Sequence, residues 1–366
     1  MKRNFVTWMC ILLAWEMAGF MFTIIGTAYF RTMVGLSGVG VQQQSNEFFI
    51  YAQSHLPFLE GALFGFFYGN LFYVIYWLTE NTRLRNLSFG RIILIQSILY
   101  ILAFAVVSVL IFFSMSKVEI FPVDDTDAFF WLLRENPSLL IAFLIYIPVV
   151  IIIVNFFLEV SKKFGPGNLW NLFIGKYHTP IVEDKIFMFL DLKDSTGYAE
   201  KLGHIKYSRL IQSCFQDLNT IVSKHNAQIY QYVGDEAVLM WDKNENGAAS
   251  DCIQLYYAFR ALLLKKSDKY ESRYGFVPEF KAGINQGTVT AAEVGNIKRE
   301  IAFHGDVLNT AARIQKVCNQ YKKDLLASES FAELILEVEA YRKVLIGYIP
   351  LKGKSIPVNV YSIELA

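Results

Sequence analysis

Apolar residues are distributed so unevenly along this 366-residue chain that the asymmetry, more than any other feature, limits what it can fold into. Only 21 of its 67 Lys, Arg, Asp and Glu residues fall before residue 181. Four stretches there, from about Phe5 to Phe30, Leu56 to Leu78, Ile92 to Phe113 and Leu139 to Leu158, have the length and character of membrane spans. A hydrocarbon core of about 30 Å takes roughly 20 helical residues, because each backbone N–H and C=O must find its partner inside the segment. The third stretch carries no charge, and Pro148 predicts a kink in the fourth. The first is too long for a cleaved signal peptide, and no small-residue cleavage pattern follows it.

Basic residues beside the spans set the orientation. With the N-terminus in the cytoplasm, Lys2, Arg3, Arg83, Arg85, Arg91, Lys162 and Lys163 lie inside, against Arg31, Lys117 and Arg134 outside. The expected product is an integral membrane protein, of a cell inner membrane, with its N-terminus and C-terminal half cytoplasmic. The loop from Ser114 to Ser138 then faces outward; its Asp124, Asp125 and Asp127 read as a solvated acidic loop, with cation sensing as the alternative. Glu16, near the middle of the first span, is either functional or neutralised and paired within the bundle. At 54% hydrophobic residues and a net charge of +1 the chain is too apolar to be disordered or to coat nucleic acid, and no nucleic-acid partner is expected. Cys10, Cys214, Cys252 and Cys318 are far apart without CxxC spacing, so they form neither a disulfide framework nor a zinc site.

The organisation expected is a four-helix, all-α transmembrane domain over residues 1–160, a linker over 161–184 and an α+β domain over 185–366. Gly165-Pro166-Gly167 ends the membrane segment, and the apolar junction that follows either relays helix movement or lies at the lipid interface. Beyond it, Ile186 to Leu190 reads as a buried strand and Thr196 to Asn226 as one long amphipathic helix. Strands at Gln228 to Val233 and Ala237 to Trp241 flank the hairpin dipeptide Gly234-Asp235. A helix over Ala248 to Tyr270 follows. Strands at Glu279 to Ile284 and Thr288 to Glu293 are expected to join through Asn285-Gln286-Gly287. A helix over Asp306 to Asn319 and strands at Val344 to Ile349 and Val358 to Ile363 close the domain.

Asp191 follows the first strand of this domain directly and Asp235 sits at the hairpin tip. Two strand-end carboxylates that neighbouring strands can bring together suit Mg²⁺, which takes a few hard oxygen ligands and leaves other positions to substrate phosphates; such pairs serve phosphoryl chemistry. On spacing alone, a strand-end Asp can equally cap a helix. The motifs carry further. Phe189-Leu190-Asp191-Leu192 with Thr196, then Tyr232-Val233-Gly234-Asp235-Glu236, then Gly305-Asp306-Val307-Leu308-Asn309-Thr310-Ala311-Ala312-Arg313, then Leu351-Lys352-Gly353-Lys354, stand in the order and spacing of a class III nucleotidyl cyclase catalytic domain. From about residue 185 onward the chain resembles that family, whose core is ferredoxin-like.

The resemblance implies a reaction and a set of roles. A nucleoside triphosphate, ATP first, would become the 3′,5′-cyclic monophosphate and pyrophosphate, for second-messenger signalling. Asp191, Asp235 and the Leu192 carbonyl would hold two Mg²⁺ or Mn²⁺ ions. The backbone leading to Thr196 would cradle phosphates at a helix N-terminus. Lys281 and Lys352 would bind the triphosphate, Asn309 would position the ribose and Arg313 would stabilise charge on the α-phosphate. Asn309 and Arg313 are four apart, on one helix face. Family members build the site across a head-to-tail dimer, so a homodimer with two equivalent sites is implied.

The chain departs from the family at the two base-reading positions, which hold Gln231 and Ala302, in place of Lys and Asp in adenylate cyclases or Glu and Cys in guanylate cyclases. An amide both donates and accepts, whereas Ala302 offers no hydrogen bond, so guanylate or pyrimidine cyclase activity stays open. Asp194-Ser195 replaces a common Gly-Phe. Two rivals are a diguanylate cyclase, suggested by Val233-Gly234-Asp235-Glu236 but without that family's first Gly, and a non-enzymatic membrane receptor whose cyclase-like domain only binds nucleotide.

Overall fold

The computed structural model describes residues 2–36, 55–80, 82, 84, 87–116, 137–164, 168–297, 299–335, 341–351 and 357–365. The acidic cluster Asp124, Asp125 and Asp127, the flanking Arg83, Arg85, Lys117 and Arg134, the Gly165-Pro166-Gly167 breaker and Lys352 lie outside these residues. The chain divides into two compact units, Met1–Phe164 and Gly165–Ala366.

Among the described residues the first unit holds four helices: α1 (Lys2–Leu36), α2 (Leu56–Glu80), α3 (Phe89–Ser116) and α4 (Pro137–Phe164), the last continuing through Pro148. Each contains a stretch long and apolar enough to cross a membrane. Trp15, Tyr68, Phe72 and Tyr100 fill its interior, with the Phe72 and Tyr100 rings stacked, while Met17, Leu102 and Phe157 cover its outer surface. Glycine lets α1 and α2 meet backbone to backbone: a Cβ on Gly19 would lie 2.4 Å from the Gly61 carbonyl oxygen. Small residues serve this purpose where lipid removes the hydrophobic drive between helices. Glu16 packs against Gly65 of α2. At the far end of α4, Lys162 pairs with Glu159 and, at 2.6 Å, with Glu80 of α2.

In the second unit a short helix, α5 (Asn168–Phe173), precedes one eight-stranded sheet. Its strands are β1 (Ile181–Leu192), β2 (Gln228–Val233), β3 (Glu236–Asp242), β4 (Phe280–Val294), β5 (Glu300–His304), β6 (Leu325–Ser328), β7 (Tyr341–Ile349) and β8 (Val358–Leu365). They lie in the order β2-β3-β1-β4-β6-β8-β7, with β5 on β4. Helices α6 (Ser195–Val222), α7 (Ala248–Lys265), α8 (Ser267–Tyr274), α9 (Asp306–Tyr321) and α10 (Glu329–Ala332) complete the α+β unit. The unbroken apolar run in β1 reflects burial on both faces: Ile186, Met188 and Leu190 enter one apolar layer, Phe187 and Phe189 the other.

Several elements differ from expectation. The long helix breaks at Gly203, whose φ of 70° departs from helical geometry. The helix expected over Ala248 to Tyr270 is two, parting at Lys266. Asn285-Gln286-Gly287 makes no turn; β4 runs straight through it, paired with β1 from Phe280 to Ala291. Those polar residues instead bond sideways, Asn285 Nδ2 donating to the Val307 carbonyl at 3.1 Å and Gln286 Nε2 to the Ser330 carbonyl at 3.1 Å. Strands β5 and β6 were not expected, being only 5 and 4 residues long.

One glycine fixes how closely α9 lies on β4. A Cβ on Gly283 would fall 2.2 Å from the backbone nitrogen of Gln315 and 2.5 Å from the Ala311 carbonyl oxygen. Gly283→Ala should therefore cost about 1–3 kcal/mol through forced displacement of helix from strand. Gly203→Ala meets no neighbour within 4 Å and bears only the cost of holding a side chain at φ 70° and ψ 162°, a backbone region essentially reserved for glycine, about 1–3 kcal/mol. Thermal unfolding followed by circular dichroism should show a clear fall for Gly283→Ala; an unchanged melting temperature there would refute the close approach.

Candidate active site

The sheet assembles the site at the end of β1. Antiparallel pairing sets Asp191 opposite Glu236 of β3 on one side and Lys281 of β4 on the other. Val233 pairs with Glu236 across a two-residue hairpin turn, and Gly234 takes the positive φ of 63° this requires. The turn brings Asp235 beside Asp191. Burial, and next the charge of Asp235, raise the Asp191 carboxyl above the usual range, opposed by Lys281 and Gln315. Burial pushes Glu236 up to about 7, with Asp191 adding to it and Lys316 opposing.

Asp191 is held from two sides. Gln315 Nε2 donates to its Oδ2 at 2.7 Å, and Lys281 Nζ lies 3.4 Å from the same oxygen. Both residues are buried, Gln315 at 2% exposure. Gln315 was not singled out from sequence, although the signal was there: α9 buries Val307, Ala311, Ile314 and Cys318 on one face, and Gln315 is a long polar residue within it. Lys281, expected to touch phosphate, is ion-paired with Asp191 in this structure.

After Leu192, whose side chain is buried, the chain turns into α6. Lys193 is tied to Glu279 at 2.9 Å and Asp324 at 2.5 Å. Asp194 adopts a φ of 50°, a conformation Asp tolerates better than most residues, and its carboxylate lies against Gly197 in the first helical turn. Thr196 is exposed in that turn. Farther along α6, Tyr207 is pushed up by burial and then by Asp235, and its hydroxyl bonds Ser195.

On α9, Asn309 is exposed and Arg313 half-buried. Arg313 and Gln315 are two residues apart, about 200° around the helix. The helix that inserts Gln315 toward Asp191 thus turns Asn309 and Arg313 away from it. Gln231 is exposed on β2, just after a bulge that resets its register so that it pairs with Val238. Ala302 is on β5, paired with Ala292. The two strands converge, with Tyr230 OH 3.4 Å from the Phe303 backbone nitrogen.

The residues fit a divalent cation. Two carboxylates that repel one another offer hard oxygens, and the contacts from Gln315 and Lys281 both fall on Oδ2 of Asp191, leaving Oδ1 out of them. Among the described residues no cluster of three or more His, Cys, Asp or Glu side chains forms a metal cage.

The model of the adenylate and guanylate cyclase catalytic domain matches residues 181–364, and the chain belongs to that family. Family members act on nucleoside triphosphates, generally use divalent metal ions and generally form dimers. The chain is 28% identical over 208 residues to Adenylate cyclase 2 of Rhizobium meliloti (strain 1021), covering 57% of each protein. It is 23% identical over 177 residues to the receptor-type guanylate cyclase gcy-27 of Caenorhabditis elegans, covering 48% of this chain and 23% of that one. Neither relative is matched over two thirds of its length. The structure of a bacterial light-regulated adenylyl cyclase shares the fold, with a TM-score of 0.51 at 17% identity over 60% of this chain and 64% of that one.

The raised Glu236 carboxyl has a measurable consequence. Its folded-state value, about 7, exceeds the ordinary 4.5, so folding favours its neutral form. The resulting penalty is absent below the ordinary value, grows as pH rises between the two and is complete above about 7. Glu236→Gln should accordingly melt higher than the parent protein at pH 8 in metal-free buffer, with the gap closing toward pH 5. A gap independent of pH would contradict the assignment.

Proposed function

We propose that this chain is a membrane-anchored nucleotidyl cyclase that converts ATP to 3′,5′-cyclic AMP and pyrophosphate. In this reading residues 1–160 are the membrane domain, 161–184 the linker and 185–366 the catalytic domain, with the N-terminus and catalytic domain on the cytoplasmic side of a cell inner membrane. The observation that carries the activity is the juxtaposition of Asp191 and Asp235 at the ends of adjoining strands, beside a helix bearing Asn309 and Arg313. The choice of ATP is supported by relatives named adenylate cyclases and by an amide at Gln231 that can donate to and accept from a base edge.

The ribose 3′-hydroxyl gives up its proton to water and its oxygen bonds to the α-phosphorus as the bond from that phosphorus to the bridging oxygen breaks, the electron pair of that bond leaving with pyrophosphate. Two Mg²⁺ or Mn²⁺ ions held by Asp191, Asp235 and the Leu192 carbonyl would neutralise phosphate charge and activate the attacking oxygen. Asn309 orients the ribose and Arg313 meets the charge that develops on the α-phosphate. The α6 N-terminus near Thr196 offers backbone N–H groups to the phosphates, and Lys281 and Lys352 supply positive charge. Gln231 faces the base, with Ala302 as an apolar wall. The orientation of α9 supports a homodimer: Gln315 serves its own subunit's Asp191, whereas Asn309 and Arg313 face away, toward a partner's substrate.

Purified, detergent-solubilised protein offered each of the four nucleoside triphosphates with Mg²⁺ or Mn²⁺ should yield cyclic AMP by mass spectrometry. Asp235→Ala should yield none while folding normally, and Arg313→Ala should lose about 10²–10³ in kcat. Another cyclic nucleotide as sole product would overturn the assignment of ATP, and full activity of Asp235→Ala would remove the metal assignment. Mixing Asp235→Ala with Arg313→Ala protein should restore partial activity through one intact shared site; no rescue would argue against the dimer.

A further inference from the structure

A metal carboxylate must hold one orientation, yet the terminal torsion of Asp is broad and roughly two-fold. Asp191 is half-buried at a strand end, beside the like charge of Asp235, so nothing intrinsic to its side chain selects a rotamer. The fold brings a neutral donor to it. Gln315 reaches Oδ2 at 2.7 Å from a side chain only 2% exposed. Its backbone is fixed as well, since its nitrogen lies 2.2 Å from where a Cβ of Gly283 would stand. The donor is therefore set by its own burial, by the seat of α9 on β4 and by the pairing of β4 with β1, which places Lys281 opposite Asp191.

We propose that Gln315 is a positioning residue for Asp191, its amide fixing the carboxylate so that Oδ1 is presented to a divalent cation. This rests on the assignment of Asp191 as a metal ligand. Gln315 touches neither substrate nor the reacting atoms in that assignment. Packing alone could be met by any residue of its size, whereas positioning needs the N–H at that reach. Residues that orient metal ligands typically account for about 10–100-fold in metal affinity.

The test is Mn²⁺ binding to the full-length, detergent-solubilised protein by electron paramagnetic resonance, subtracting sites retained by an Asp191→Asn, Asp235→Asn double variant. Gln315→Met keeps the volume and removes the donor; Gln315→Asn keeps the amide and shortens its reach, which carries the test if the Met variant fails to fold. Both should bind Mn²⁺ about tenfold or more weakly than the parent. In cyclase assays the half-saturating Mn²⁺ concentration should rise by the same factor, with kcat largely recovered at saturating metal. Unchanged Mn²⁺ affinity in a folded variant would overturn the proposal, as would a loss of kcat that metal does not recover. A parent protein with no Mn²⁺ site beyond those of the double variant would instead remove the metal assignment on which it rests.

Discussion

Asp191, Asp235 and Glu236 repel one another, and left to themselves three carboxylates at the end of a buried strand would move apart. Much of the second unit acts to prevent it. β1 cannot retreat, because its side chains are committed to apolar layers on both faces. The β2–β3 turn cannot open without losing the register that sets Glu236 opposite Asp191. Lys281 and Gln315 partly offset the repulsion from the β4 side. Such an arrangement is poorly suited to stabilising a fold, and in the proposed function Asp191 and Asp235 would be relieved of their repulsion by a cation.

What could be read from sequence followed from how local the signal was. The four long apolar helices depend on nothing but length and apolarity, and the strand-end Asp191, the Gly234-Asp235 turn and the Asn309/Arg313 face were legible because each is defined within a few residues. The errors came where distant contacts overrode local chemistry. Asn285-Gln286-Gly287 has turn composition, but its side chains bond to α9 and to the start of α10, so the strand continues. Strands β5 and β6 are too short to show a period and exist because β4 has edges to pair. Gln315 is separated from Asp191 by 124 positions, a contact only the folded chain creates.

The phosphate-side loop shows the same interplay. Asp194 stands where the family commonly has Gly, and the backbone there is left-handed, so the position retains the conformation that glycine would supply. Its carboxylate folds against Gly197 of the first turn, placing negative charge near the positive end of the helix, where it is favoured. In the proposed function an incoming triphosphate would meet a loop already shaped by an anion of its own.

The contact at Gly283 bears on how such an enzyme could be controlled. With no space for even a methyl group between α9 and β4, helix and strand form a single rigid piece. In a two-fold assembly each such piece would support the carboxylate of one site with one face and present Asn309 and Arg313 to the other site with the opposite face. In the proposed dimer, any displacement of one such piece would therefore be felt at both sites at once.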